Sequence, residues 1–377
     1  MKPVLAIGDA NTDLIIRLPA HPGEPVAPPE LHGGGTIANT SVGIRRLGVP
    51  VRFAGAVGED GYGRFVAKDL DAEGIDTSLL RTTDADFTVS VFAIISPDGD
   101  RTITVWPPEG GAHAYLEPAD VPGDAVRACG WVHTSGIALR RAPVREAIIE
   151  TARIAHEAGI PVSLDLNLRL EFWGWNHEIR ETLQRLLPYV TTVFGSLEDE
   201  IVPLVQTLTG ADAAGAARAD GTDPDDSGDD PAAPGARLDM PAAMMELSRI
   251  AAPEPPAPES TAPHPAAPEN DPPNTAAPGA GRRRTVIARR GKEGAALLSN
   301  AGTLTELPAH SVEVVDSVGA GDAFNAGYIA ARMRGHSEAA ALEWGLCASA
   351  HQVAREGARA LPTPEELQNC LKTSPHT

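Results

Sequence analysis

The chain is poor in aromatics, poor in cysteine and short of basic residues. Its 377 residues include 7 Phe, 5 Trp and 4 Tyr, which leaves few platforms on which nucleobases could stack. Acidic residues number 51 against 31 Lys and Arg, a formal charge of -20 that would repel phosphate backbones and anionic lipid. No nucleic-acid or membrane partner is therefore expected. No apolar run approaches the ~18 residues of a membrane span, and Met1 to Ile7 is too short for a signal peptide, so a cytoplasmic protein is expected. Cys129, Cys347 and Cys370 are odd in number and widely spaced, with no CxxC and no HExxH among the 11 histidines; this argues against disulfides and against structural zinc. A Walker A loop is missing too, since Gly291-Lys292 lacks both the preceding glycine and the following Ser or Thr. Gly58 to Gly63 has the wrong spacing for a dinucleotide fingerprint, and His113, His133 and His351 belong to no Ser/His/Asp set.

What the chain does have is enough apolar residue, 42%, for a sizeable core. Its charge is concentrated. Between Gly210 and Gly281 lie 13 acidic and 3 basic residues with 14 of the 34 prolines, so half the net charge sits there. The tracts 210–238 and 253–283 are Ala/Pro/acid-rich and carry too few large apolar side chains to offset the entropy of ordering, which predicts two disordered insertions. Between them 239–252 reads as a core helix, with Met240, Met244, Leu247 and Ala251 at helical spacing behind a capping Asp239. The insertions thus interrupt one domain whose N-terminal part is 1–209 and whose C-terminal part is 284–377.

Outside them, strand and helix signals alternate. Val4 to Ile7, Val51 to Ala56, Trp131 to Thr134, Pro161 to Leu166, Thr191 to Phe194, Thr285 to Ala288 and Ala295 to Leu298 read as buried strands, with helices over Val144 to Ala155, Asp322 to Arg334 and Glu338 to Arg355. The pattern predicts an α/β fold: a doubly wound, mostly parallel sheet sandwiched by helices, with its ligand site at the carboxyl ends of the strands. Leu14 to Leu18, and Thr88 to Ile95 with Arg101 to Trp106 around a Pro/Asp/Gly turn, predict a small β lid built from about 11–36 and 86–108. Its exposed edge could pair with a second copy.

Chemistry concentrates in Asp316-Ser-Val-Gly319-Ala320-Gly321-Asp322-Ala-Phe324. Two glycines around an alanine, directly before a helix, let several backbone N–H groups converge at the positive helix end, a cradle for an anion. A carboxylate in that first turn, Asp322, would stand beside a bound phosphate and accept a proton from an attacking hydroxyl. For an isolated tetrapeptide, a flexible turn with an N-cap aspartate is the plainer reading. Asp13 by local sequence is a turn aspartate or a bidentate acceptor for neighbouring hydroxyls, and Asn39 is either a helix cap or a ligand amide.

The run Asp316 to Phe324 resembles the C-terminal signature of the PfkB, or ribokinase-like, family of sugar and nucleoside kinases, Asp-x-x-Gly-Ala-Gly-Asp, and matches at every fixed position. Gly33-Gly34-Gly35-x-x-Ala-Asn39, then Leu47-Gly48 and Gly55-x-x-Gly58-x-Asp60-x-x-Gly63, is similar to its N-terminal glycine-rich region, and Asp165-Leu-Asn167-Leu-Arg169 leading to Trp173 resembles a stretch of fructokinases and 2-keto-3-deoxygluconate kinases. The resemblance implies ATP-dependent phosphorylation of a sugar hydroxyl, with Asp322 as base and Gly319, Ala320 and Gly321 as anion hole. Asp13, Gly34, Gly35, Asn39, Asn167 and Arg169 would bind the sugar. Ser196, Gly291, Gly294 and Gly357 would line the nucleotide, and Asp199 or Glu200 would serve magnesium through water. ATP and Mg2+ are the implied cofactors, with a monovalent cation such as K+ as an optional addition. Two departures stand out: Ser196 replaces the family's asparagine, and the lid arginine gives way to Val105-Trp106-Pro107-Pro108-Glu109. A ribokinase or nucleoside kinase, or a non-catalytic sugar or nucleotide sensor on the same fold, is the alternative.

Overall fold

Strands buried on both faces need apolar residues at consecutive positions, and the central strands have them. The computed structural model describes residues 1–209, 239–250 and 283–373, apart from positions 22, 26, 99 and 171–173. The N-terminal part runs β1 (Val4–Ile7), β2 (Asn11–Arg17), β3 (Glu30–Gly34), α1 (Thr36–Arg46), β4 (Val51–Gly58), α2 (Gly61–Ala72), β5 (Asp76–Thr83), β6 (Ser90–Ile95) and β7 (Arg101–Trp106). It continues through α3 (Gly123–Arg127), β8 (Trp131–Ser135), α4 (Val144–Glu157), β9 (Val162–Asp165), α5 (His177–Leu186), β10 (Thr192–Ser196) and α6 (Val202–Thr209). Then come α7 (Met240–Arg249), β11 (Thr285–Arg289), β12 (Ala295–Leu298), β13 (Leu304–Leu307), α8 (Ala320–Met333), α9 (Glu338–Val353) and α10 (Pro364–Thr373).

Nine strands form one sheet in the order β13-β12-β11-β10-β9-β8-β1-β4-β5. Every pairing from β5 to β11 is parallel; at the edge the β11-β12 and β12-β13 pairings are antiparallel, so β12 alone runs against the rest. The period of two along β1 divides the interior. Leu5 and Ile7 join a core with Ala147 and Ile148 of α4 and Leu183 of α5, whereas Val4 and Ala6 join one with Ile37 of α1 and Phe324 of α8. Helices therefore cover both faces, as the strand-helix alternation predicts. A second sheet, β3-β2-β6-β7, stands apart where the β lid is expected, with Ile103 at 61% and Val105 at 43% exposure on one face of β7 and Trp106 at 54% on the other.

Helix α7 occupies the stretch expected to be a core helix: Asp239 Oδ1 accepts from Ala242 N at 2.9 Å, and Met244 and Leu247 are fully buried. The tracts expected to be disordered lie outside the described residues, save Arg283 at their end. One expectation is overturned. Cys347 and Cys370 form a disulfide, because α9 and α10 pack side by side and bring the two Cα atoms to 5.8 Å across a separation of 23 residues. Parity and spacing in the sequence carry no information about that helix pairing. Cys129 is free and buried. No helix among the described residues is long and apolar enough to cross a membrane.

Candidate active site

Because β9, β10 and β11 are parallel neighbours and β1 runs the same way one strand beyond β8, their carboxyl ends deliver Asp165, Ser196, Arg289 and Asp9 to one rim. Asp9 caps α1, accepting from Thr36 N at 2.8 Å and Ile37 N at 3.3 Å. Asp165 is buried and held on both oxygens by Arg289, at 2.7 and 3.2 Å, and by Asn325 Nδ2 at 2.7 Å. Glu200 adds a second carboxylate to Arg289 at 3.5 Å. Burial alone would lower the Arg289 pKa, but Asp165 and Glu200 overcome it and hold the guanidinium charged beneath the site.

Above that charge lies the glycine-rich turn. Gly319 has φ +77°, a left-handed conformation, and its α-carbon abuts the Ala358 carbonyl where no side chain would fit. No side chain caps the first turn of α8, so its amides point outward; only Ala320 N folds back, to Ser317 O at 3.3 Å. Asp316 braces the turn by accepting from Val318 N at 3.1 Å and Gly357 N at 3.2 Å. A Cβ on Gly321 would come within 2.6 Å of Arg289 Nη1, so the guanidinium lies directly under the cradle.

Asp322 is the third residue of α8, not its N-cap, which is Gly319. Its Oδ2 accepts from Asn39 Nδ2 at 3.0 Å. Burial pushes its pKa up to about 7; Asp165 and Asp9 push the same way, while the Asn39 hydrogen bond and Arg289 oppose them. Asn39 reaches it because α1 lies close on α8, Gly43 facing Ala326 where a Cβ would come within 2.6 Å. Asn39 sits inside α1 rather than at its start, and Asp9 does the capping. Asp13 lies in β2, paired opposite His32, not in a turn. Its carboxylate accepts from Asn11 Nδ2 at 2.7 Å and crosses Gly34, where a Cβ would be 2.5 Å from either oxygen. Burial raises its pKa, opposed by the Asn11 bond and by the charge of Arg359. Gly35, φ +100°, packs against the Ala10 backbone at the start of α1. Asn167 and Arg169 are the two described non-glycine residues with positive φ, +27° and +50°, and Asn167 Nδ2 donates to Thr36 Oγ1 at 2.8 Å, tying the end of β9 to α1. Trp173 lies outside the described residues.

On the other side of the turn, Ser196 N donates to Glu200 Oε2 at 2.7 Å and Ser196 Oγ to Asp199 Oδ2 at 2.8 Å. Glu200 faces inward, its pKa raised by burial and by Asp165 against the pull of Arg289, whereas Asp199 faces solvent. Gly294 makes the tight β11-β12 hairpin against the Leu307 carbonyl; Gly291 and Gly357 have positive φ and open space at the Cβ position. A cavity of about 560 Å3 lies between 308–312, the Cys347, Ala350 and Ala354 side at the end of α9, and Cys370 of α10. His133 is a core residue bonded to Ser163 Oγ at 2.8 Å and kept neutral by burial, its pKa lowered to about 4.

Sequence reasoning missed Arg289, Asp9 and Arg359, as well as Asn325, the partner of Asp165. Arg289 lies in a strand and its partner Asp165 is 124 residues away; Asp9 is one polar residue in a polar loop; Arg359 stands alone. None carries a local signal, since each is defined by long-range partners.

Residues 1–223 and 266–366 match the profile of the pfkB family of carbohydrate kinases. Among curated proteins the chain is 38% identical over 188 residues to the aminoimidazole riboside kinase of Salmonella typhimurium, covering 49% of this chain and 55% of that one. It is 33% identical over 196 residues to the fructokinase of Klebsiella pneumoniae, covering 52% and 61%. The aligned stretches thus span little more than half of those relatives. Among solved structures, the fructokinase of Xylella fastidiosa with bound ATP superposes with a TM-score of 0.72 at 21% identity, covering 98% of each chain, a likeness of fold.

Proposed function

Since the chain belongs to the pfkB family of carbohydrate kinases, we propose that it transfers the γ-phosphoryl group of ATP to a sugar hydroxyl, with Asp322 as general base. The observation that carries the reading is Asp322 itself: a carboxylate with a pKa near 7, in the uncapped first turn of α8, beside a glycine cradle over a buried guanidinium. Near neutral pH such a group is partly ionised and still basic enough to take a hydroxyl proton. The Gly319 and Gly321 amides and Arg289 supply fixed positive potential for the charge of the moving phosphoryl group, the Ala320 amide being engaged by Ser317 O.

The positions of the other residues support the remaining roles in this reading. Asp13 and Asn39 accept from and donate to sugar hydroxyls, Gly34 and Gly35 let backbone approach, and Asn167 and Arg169 close the far side. Gly357 and Gly291 flank the nucleotide, whose base fits the cavity along α9. Mg2+ brought with ATP neutralises phosphate charge. Glu200 already serves Ser196 N and Arg289, so Glu200 and Asp199 suit a hydrated ion held through water rather than direct ligation. The lid excludes water, which would otherwise compete with the sugar. Its exposed outer face and the free edges of β3 and β7 suit a homodimer.

The substrate class is a small polyhydroxylated sugar, fructose being the nearest case. A riboside is the second candidate, favoured by the 38% identity to a riboside kinase. Coupled ADP release from ATP and Mg2+ across hexoses, ketoses, pentoses and ribosides, with and without K+, tests the proposal. Sugar-dependent ADP release is expected. Tight sugar or nucleotide binding without release by any compound would favour the sensor, to which the serine at 196 and the missing lid arginine point.

A further inference from the structure

Arg359 comes from the connector between α9 and α10, yet its side chain ends among the groups on the sugar side of the site. Nε donates to Asn39 Oδ1 at 2.8 Å, Nη1 pairs with Asp69 of α2, and Nη2 reaches toward the Gly34 carbonyl at 3.5 Å. Its own carbonyl accepts from Arg46 Nη1 at 2.9 Å. Gly33 has no Cβ where one would run into the Arg359–Asp69 pair, so the backbone of β3 leaves room for it. Only 13% of the Arg359 side chain is exposed.

This geometry settles the orientation of an amide. A guanidinium only donates, so Asn39 must turn its oxygen to Arg359, and its NH2 group then faces Asp322 Oδ2. A fixed donor favours the ionised carboxylate. Were the amide free to rotate, its oxygen could accept from a protonated Asp322 and favour the neutral form instead. We propose that Arg359 is a positioning residue which locks the Asn39 amide with its NH2 toward Asp322 and thereby keeps that carboxylate ionised and ready to accept a proton. The chain of contacts is Asp69, Arg359, Asn39, Asp322. The other charged groups that bear on Asp322 are Asp9 after β1, Asp165 at the end of β9 and Arg289 of β11; those that bear on Arg359 are Asp69 of α2 and Asp13 of β2. Only the kinetic consequence rests on the reading of Asp322 as base.

The test is titration of the Asp322 carboxyl by 13C NMR in the full chain, assigned by its loss in Asp322→Asn. Arg359→Met, which keeps length and removes every donor, should raise the midpoint by ~1 pH unit. The same substitution in an Asn39→Ala background should add nothing further. If Arg359→Met folds poorly by thermal denaturation, Asp69→Asn releases one arm of the guanidinium and should give a smaller shift of the same sign. An unmoved midpoint, or an equal shift with Asn39 absent, overturns the proposal, the latter because Arg359 would then act as a bare charge. In parallel, the acid limb of kcat/KM should move with the midpoint while KM for ATP stays constant. A carboxyl midpoint that moves while the kinetic limb does not leaves Arg359 in its role and removes Asp322 from its own.

Discussion

Asp322 has to be both sheltered and reachable, and its neighbours are what reconcile the two. Burial and the carboxylates of Asp165 and Asp9 raise its pKa to about 7, so the free enzyme should lose kcat/KM about tenfold per pH unit below that value. A pH-rate profile with sugar well below saturation checks this, and a limb near pH 4 would be contrary. The same shift has a stability signature. Between 3.8 and about 7 the folded chain binds the proton more tightly than the unfolded chain does, so the group costs stability as pH rises through that window. Asp322→Asn should therefore melt higher than the parent at pH 8 and show no such advantage below pH 4. A constant offset across the range would mean that the carboxyl is not perturbed.

At the scale of elements, much was legible because the signals are local. The strands around Val4 and Val51 are apolar at consecutive positions, and α8 and α9 carry their apolar residues in long contiguous stretches. Lid strands β6 and β7 announce themselves by the Pro97 to Asp100 turn. Strand β3 did not, since Glu30 to Gly34 contains a histidine and two glycines and is defined by its pairing with β2. The candidate site divides the same way. The cradle and Asp322 stand in one contiguous motif, whereas Arg289, Asp9 and Arg359 acquire meaning only when strands and loops distant in sequence meet. The Cys347–Cys370 bond is the clearest case, a contact made by the packing of α9 on α10. Closing a loop of 23 residues, it should contribute roughly 3 kcal/mol. Cys370→Ser should lower the urea midpoint accordingly, with an m-value no smaller than the parent's because the unfolded chain loses a cross-link; an unchanged midpoint would show that the two helices hold together without it.

For the molecule as a whole, a charge of -20 means that under the proposed function an anionic ligand would be drawn in by the buried Arg289 and the α8 dipole rather than by the surface. The second sheet leaves Ile103 and Val105 exposed together on one face of β7, apolar side chains of the kind a partner covers. If that face joins two copies, Ile103→Glu should convert a dimer into a monomer in sedimentation equilibrium, and an identical mass for both proteins would place any interface elsewhere. The central claim is narrower: one carboxylate, at the head of α8, removes the proton from the attacking hydroxyl. Rapid-quench measurement of phosphoryl transfer by Asp322→Asn, on the best sugar from the panel and at saturating ATP, tests it most directly. The expected result is a rate lower by ~10²-fold or more with ATP affinity unchanged, and transfer at close to the parent rate would contradict it.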